Sequence, residues 1–188
     1  LNKITADFPG LGKPLYPKNW RDINMFTISY GHGLAATPLH FAMAASAMVN
    51  GGNLLAPIFV KNQYQPRETK VVSSETGENL KKMLRNVVEN GTGKFANVEG
   101  YAVGGKTGTA DRAENGSYNE RQTLASFVGI FPINKPQYLV YILFDRPNNI
   151  FNTAGMVAAP IAGKIIKNIA PILEVMPQVS NQPTDKKI

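Results

Sequence analysis

Leu80, Met83, Leu84, Val87 and Val88 recur at the i, i+3, i+4, i+7, i+8 spacing of one helical face. Ser73 and Ser74 before them are candidate caps, Glu75 and Glu78 favour the positive end of the helix, and Gly91 is placed to close it. This stripe is a packing face. A second helix is predicted from Thr37, which can cap, and Pro38, whose fixed φ suits a first turn. It runs to about Asn50, where Gly51 ends it. Leu39, Ala42, Met43, Ala47 and Val49 leave it little polar surface, so it is buried and its alanines permit close approach. A long third helix is predicted from Ala154 to about Val175. Ile161, Ile165, Ile169 and Ile172 mark one face of it, and Pro160 kinks it or marks its effective start.

Other segments alternate with period two. Tyr101, Val103 and Gly105 alternate with Ala102, Gly104 and Lys106 as in a half-buried strand, whose glycines let another backbone or a ligand come close. Thr123–Phe131 and Gln137–Asp145 read as two further strands, joined by the short connection Pro132–Pro136. Together these predict a three-stranded antiparallel meander. Asp111–Gln122 reads as a polar loop with an Asn115-Gly116 turn signal. Asn53–Val60 is short and extended, broken by Pro57, and Gln63–Lys70 is a polar connection. Residues 1–36, rich in Gly and Pro, predict an irregular region packed around Trp20 and Phe26. From Met176 the chain is polar and expected to fray. The pattern predicts an α/β fold of the α+β type, a meander packed against helices over residues 1–175, with a flexible tail at 176–188.

At 188 residues, with 43% hydrophobic and 18% charged positions, the chain suits one globular domain. No run approaches the ~18 apolar residues of a membrane span. Its first residue is Leu1, from which we expect it to be part of something longer. The absence of cysteine excludes thiolate and disulfide chemistry within these residues. The net charge of +7 is spread out, with no basic run longer than a pair and no basic stripe interleaved with aromatics. That argues against nucleic acid as a partner, and for a solvated surface near anionic lipid or an acidic polymer. His32 and His40 lack the carboxylate spacing of a metal site, so no metal or cofactor is expected.

The chemistry concentrates in Gly100-Tyr-Ala-Val-Gly-Gly-Lys-Thr-Gly-Thr-Ala110. Gly100–Thr107 matches the phosphate-binding pattern G-x-x-x-x-G-K-[ST]. A phosphate loop must open a helix, however, whereas Tyr101, Ala102 and Val103 favour extended chain and no helical stripe follows Thr109. A nucleotide site is therefore the weaker reading. One cation and two hydroxyls, from Lys106, Thr107 and Thr109, on an exposed strand instead equip it to bind a carboxylate.

Lys106-Thr107-Gly108 also matches the third motif of the serine penicillin-recognising enzymes. With the segment Ser29–Gly52, the spacing to Lys106 and the order of later elements, the chain from about Asp7 to Ala170 resembles class B penicillin-binding proteins. It is most similar to division-type peptidoglycan transpeptidases. The resemblance implies the C-terminal part of a penicillin-binding/β-lactamase-like fold. It also implies a reaction: a serine attacks the D-Ala-D-Ala bond of a stem peptide, and the acyl group passes to an amine. By the same resemblance Lys106 supplies positive potential and orients a serine, and the Thr107 and Thr109 hydroxyls hold the donor carboxylate. The Thr109 N–H is one arm of the oxyanion hole, and Gly108 keeps the strand open for the acyl chain.

No serine here is followed three residues later by lysine, and Ser117-Tyr118-Asn119 lies on the wrong side of Lys106 to be the family's S-x-N element. The chain alone is thus expected to be inactive. The partners implied are stem peptide and β-lactams in the intact enzyme, cell-division proteins, and the rest of the domain or a second copy along the Gln137–Asp145 edge. The location implied is the periplasmic face of the bacterial inner membrane. A non-catalytic relative that binds stem peptide or serves as an interaction module stays open.

Overall fold

Two glycines decide how the first part of the chain turns. Gly51 and Gly52 have φ of +90° and +92°, and a Cβ on Gly52 would sit 2.1 Å from the Val72 carbonyl oxygen. Only glycine fits there. This is a computed structural model describing residues 10–61, 68–114, 117–147 and 153–178. It divides into two compact units, Leu1–Gly77 and Glu78–Ile188.

In the first unit, helix α1 spans Asp22–Ser29 and helix α2 spans Pro38–Val49. The expected start of α2 is realised: the Thr37 hydroxyl accepts the His40 N–H at 3.3 Å. The same hydroxyl lies 2.6 Å from the Nδ1 of buried His40, so this histidine has a structural partner. The glycine pair leads from α2 into strand β1, Asn53–Leu55, which pairs antiparallel with β2, Glu68–Lys70. The strand expected over Asn53–Val60 is therefore three residues long. The connection expected over Gln63–Lys70 ends in a strand, because the Gly52 carbonyl receives the Val71 N–H at 2.8 Å and draws Glu68–Lys70 alongside β1. Residues 62–67 lie outside the described ones.

The region expected to be irregular is so over residues 10–21 and 30–36, but the packing around Trp20 and Phe26 and the lack of a helix are overturned. Residues 22–29 are helical, and the Asn24 side chain closes their start by accepting the Arg21 N–H at 2.9 Å. Trp20 and Phe26 are 62% and 63% exposed, so they organise no core among the described residues. Helix α1 has no buried residue, which is why no apolar period announced it.

Helix α3, Ser74–Asn90, begins at the end of the first unit and continues into the second. Ser73 is the cap, accepting the Thr76 N–H at 3.0 Å. Within the second unit Val88 is buried and Leu80, Leu84 and Val87 are half-buried, while Met83 stands exposed at the stripe's margin. A 3-10 turn at Lys94–Ala96 then leads to strands β3, Gly104–Glu114, β4, Ser117–Phe131, and β5, Tyr138–Asp145. They form the expected antiparallel meander in the order β3-β4-β5.

Two boundaries move. Gly100 and Ala102 have φ of +82° and +45°, so a turn occupies the place where the alternation suggested strand, and β3 starts at Gly104. The Ala102 carbonyl fixes this turn by accepting the Ile133 N–H at 2.9 Å. The polar segment Asp111–Gln122 is not a loop but an extension of the ribbon, pairing Arg112 with Asn119 and Glu114 with Ser117 beyond a register shift at Asp111/Arg112. A two-stranded ladder is held by backbone hydrogen bonds and needs no apolar face, so polarity alone misled here. Asn115 and Gly116 lie outside the described residues.

Helix α4 spans Ala154–Ile172, with Pro160 inside it rather than at its start. Of the four isoleucines expected to mark one face, Ile161, Ile165 and Ile172 are exposed, while Ile169 is half-buried against the core. The inner side is Ala154, Ala158, Ala159, Ala162, Gly163, Ile166 and Ala170. Close approach explains the small residues there, since a Cβ on Gly163 would sit 3.0 Å from the Phe95 carbonyl oxygen. At Gly163 no larger side chain can enter, while Ile166 fills the wider part of the seam. Against it lie Phe127, Phe131, Val88 and Val103, all fully buried. After α4 the Gln178 N–H donates to the Gly100 carbonyl at 2.7 Å, and residues 179–188 lie outside the described ones. Among the described residues no helix is long and apolar enough to cross a membrane.

Candidate functional site

Strand β3 pairs with β4 on one side only among the described strands, so its other edge is open. Alternation places Gly105, Thr107 and Thr109 on one face and Lys106 and Gly108 on the other. Gly104 and Gly105 let other parts of the chain come close, as glycines in a strand allow. A Cβ on Gly105 would lie 2.3 Å from the Val128 carbonyl oxygen and 2.5 Å from Phe127 Cζ, and one on Gly104 would lie 2.5 Å from Ile133 Cγ1. Of the two close approaches expected, by another backbone or by a ligand, Gly105 shows the first, and core side chains fill the rest of the space at these two positions. Gly108 is exposed, and a Cβ there would meet the Ser126 hydroxyl at 2.7 Å. That hydroxyl donates to the Gly108 carbonyl at 3.2 Å, which holds the strand at the site.

The predicted side chains are brought together on this strand. Lys106 is exposed and its Nζ donates to the Thr107 main-chain carbonyl at 2.8 Å, which ties the cation to the strand. The Thr109 hydroxyl oxygen accepts the Ala154 N–H at 3.1 Å. This satisfies one of the donors that the first turn of α4 would leave unpaired. A hydroxyl that accepts still has its own proton to give, so Thr109 can donate outward to an anion. Thr107 is half-buried, with its hydroxyl 2.9 Å from that of Thr92.

Two supporting residues escaped the sequence reading. Arg85 on α3 donates from Nη1 to the Val103 carbonyl at 2.6 Å and to Asn97 at 3.0 Å, while its Nε lies 3.0 Å from Glu89. It pins the entry to β3 one residue before the strand begins. Thr92 sits between Gly91 and Gly93, whose N–H groups converge on the Val87 carbonyl at 3.1 and 3.0 Å. That glycine pair was the only local signal for it.

The nucleotide alternative finds no helix, because Lys106 and Thr107 lie within β3. Among the described residues no group of three metal-ligating side chains clusters. A groove of about 760 Å³ lies between the 3-10 turn and α4, lined in part by Phe95, Tyr101, Lys164 and Lys167, and Lys106, Thr107 and Thr109 do not line it.

An open-edged strand carrying Lys-Thr-Gly-Thr, in a meander backed by a small-residue helix, defines a class of α+β penicillin-recognising folds. Residues 2–167 match the family model described as penicillin binding protein transpeptidase domain, and the chain belongs to this family. It is 37% identical over 180 residues to the probable peptidoglycan D,D-transpeptidase FtsI of Caulobacter vibrioides, covering 87% of this chain and 30% of that protein. It is also similar to the apo transpeptidase domain of Burkholderia pseudomallei penicillin-binding protein 3, with a TM-score of 0.81, 34% identity, and coverage of 96% of this chain and 55% of that one. The ampicillin complex of Mycobacterium tuberculosis penicillin-binding protein 3 resembles it with a TM-score of 0.81 and 28% identity, covering 93% of this chain and 44% of that one. The chain spans about a quarter to a half of the length of the curated relatives it matches.

Proposed function

We propose that this chain is the part of a serine-type peptidoglycan D,D-transpeptidase that holds the donor's carboxylate and acyl chain, while the nucleophile comes from residues outside these 188. The observation that carries the reading is Lys106, Thr107 and Thr109 on one open strand with the Thr109 proton free to donate. The Caulobacter relative's name and the mycobacterial ampicillin complex support stem peptide and β-lactams as the two ligands.

In this mechanism the stem peptide lies along β3, with its terminal carboxylate taking hydrogen bonds from Thr107 and Thr109. The D-Ala-D-Ala carbonyl then faces the Thr109 N–H, where negative charge develops when the serine adds. One such donor is worth on the order of 2.7–4 kcal/mol of barrier. Lys106 acts through space, lowering the cost of charge on the donor and orienting a serine hydroxyl. The C–N bond breaks, D-alanine leaves with a proton, and an amine of a neighbouring peptide takes the acyl group. A β-lactam follows the same path to the acyl stage and stops.

Strand β5 ends the sheet, and Leu143 on it and Ile161 and Ile165 on α4 are exposed. In the intact protein the remaining part of the transpeptidase domain covers these surfaces; a second copy is the other occupant. An open, apolar edge left uncovered recruits another chain. On this reading the intact protein works at the periplasmic face of the bacterial inner membrane beside cell-division proteins.

Peptide mapping of the intact protein after treatment with a penicillin tests the reading. The acyl group is expected on a serine outside residues 1–188, followed three residues later by lysine. Acylation at any serine within residues 1–188 would overturn it, and an intact protein that is never acylated would favour the non-catalytic relative.

A further inference from the structure

The Thr107 hydroxyl has one proton, and it sits 2.9 Å from the Thr92 hydroxyl. Only one of the two can donate across that gap. If Thr107 spends its proton on Thr92, it has none for a carboxylate. If Thr92 donates, the Thr107 oxygen is satisfied as an acceptor and its proton is aimed elsewhere. Thr109 is already in that state, because the Ala154 N–H occupies its oxygen at 3.1 Å. The two threonines then form a matched pair of outward donors, each backed by one hydrogen bond from behind.

The residue behind Thr107 is held firmly. The N–H groups on either side of Thr92, from Gly91 and Gly93, both donate to the Val87 carbonyl. On the other side, a Cβ on Gly155 would lie 2.6 Å from the Thr92 carbonyl oxygen, so the first turn of α4 rests on this loop. Gly93 is buried, with a Cβ there meeting Phe127 Cε2 at 3.2 Å. Thr92 therefore reaches Thr107 from a fixed backbone.

We propose that Thr92 is a positioning residue that donates its proton to Thr107 and so orients the Thr107 hydroxyl toward the substrate carboxylate. The inference rests on the carboxylate-binding reading of Thr107 given above. A chain of hydroxyls ending on an anion strengthens each bond in it, since a donor that also accepts is the better donor.

The test uses the intact protein and two probes, benzylpenicillin and its methyl ester, which lacks the charged carboxylate. The measured quantity is the ratio of acylation rates, acid over ester. Thr92→Val is expected to lower that ratio on the order of tenfold, the loss of an oriented hydrogen bond to a charged group. Thr92→Ser is expected to restore it, and adding Thr92→Val to Thr107→Val is expected to change nothing further. A ratio unchanged by Thr92→Val, with Thr107→Val lowering it, overturns the role of Thr92 and leaves the site reading intact. That includes the case where both probes slow equally, the mark of a merely structural residue. A ratio unmoved by Thr107→Val removes the carboxylate role of Thr107 itself, and the proposal with it. Thr92→Ala serves if the valine variant does not fold.

Discussion

Lys106→Ala in the intact protein is expected to slow acylation by a β-lactam on the order of a hundredfold or more while leaving the fold in place. The side chain is exposed and donates to a main-chain carbonyl beside it. Its loss leaves no buried charge unpaired, so stability should change by no more than about 0.5 kcal/mol. The rate effect is large because a fixed cation beside a reacting centre interacts more strongly there than the same charge in water. Removing one preorganised electrostatic contact of this kind costs about 10²–10³ in rate. Acylation rates measured alongside thermal melts decide the matter. An unchanged rate would reduce Lys106 to a surface lysine, and a collapsed melt would make it structural.

The second large effect concerns stability. Phe127→Ala is expected to destabilise the chain by about 3–5 kcal/mol, toward the upper end of that range. Phe127 is fully buried on β4, directly across from Thr107. Its ring is bordered by glycines: a Cβ on Gly93, Gly105 or Gly129 would lie 3.2, 2.5 or 3.2 Å from its atoms. Glycines have no side chain to swing into the space left behind, so the cavity stays open. A loss of this size is a large share of the ~5–15 kcal/mol that folded domains possess. Urea denaturation checks it, with Phe127→Leu as the comparison expected to cost markedly less. A loss below about 1 kcal/mol for the alanine variant would mean the site relaxes after all.

The meander and the main helices were legible because their apolar periods are set by burial. Thr37-Pro38 and Gly51 bounded α2 through local backbone chemistry that tertiary contacts did not override. The exposed isoleucines of α4 show where that logic stops. A large apolar residue is the stronger signal in sequence, but α4 comes so close to Thr92 and Phe95 that glycine is required at Gly155 and Gly163, and its inner side is mostly alanine. Helix α1 and the polar ribbon beyond Asp111 were illegible for the opposite reason, since α1 buries no residue and the ribbon's backbone pairing extends through polar residues.

The site divides in the same way. Lys106, Thr107 and Thr109 share one strand, so their spacing alone joined them. Thr92 and Arg85 reach β3 and its entry from 15 and 18 residues away in sequence, and no local pattern encodes such a meeting. The bare strand at Gly104 and Gly105 signals a close approach by a backbone or a ligand without saying which, and the structure fills it with the Val128 carbonyl, Phe127 and Ile133.

Labelling with a fluorescent penicillin tests most directly whether this chain binds the substrate while the nucleophile comes from elsewhere. The 188-residue chain alone is expected to give no stable covalent band. Mixed with a polypeptide carrying the remainder of the transpeptidase domain, the label is expected to appear on that added polypeptide. A stable acyl band on the 188-residue chain by itself would contradict the division of labour proposed here.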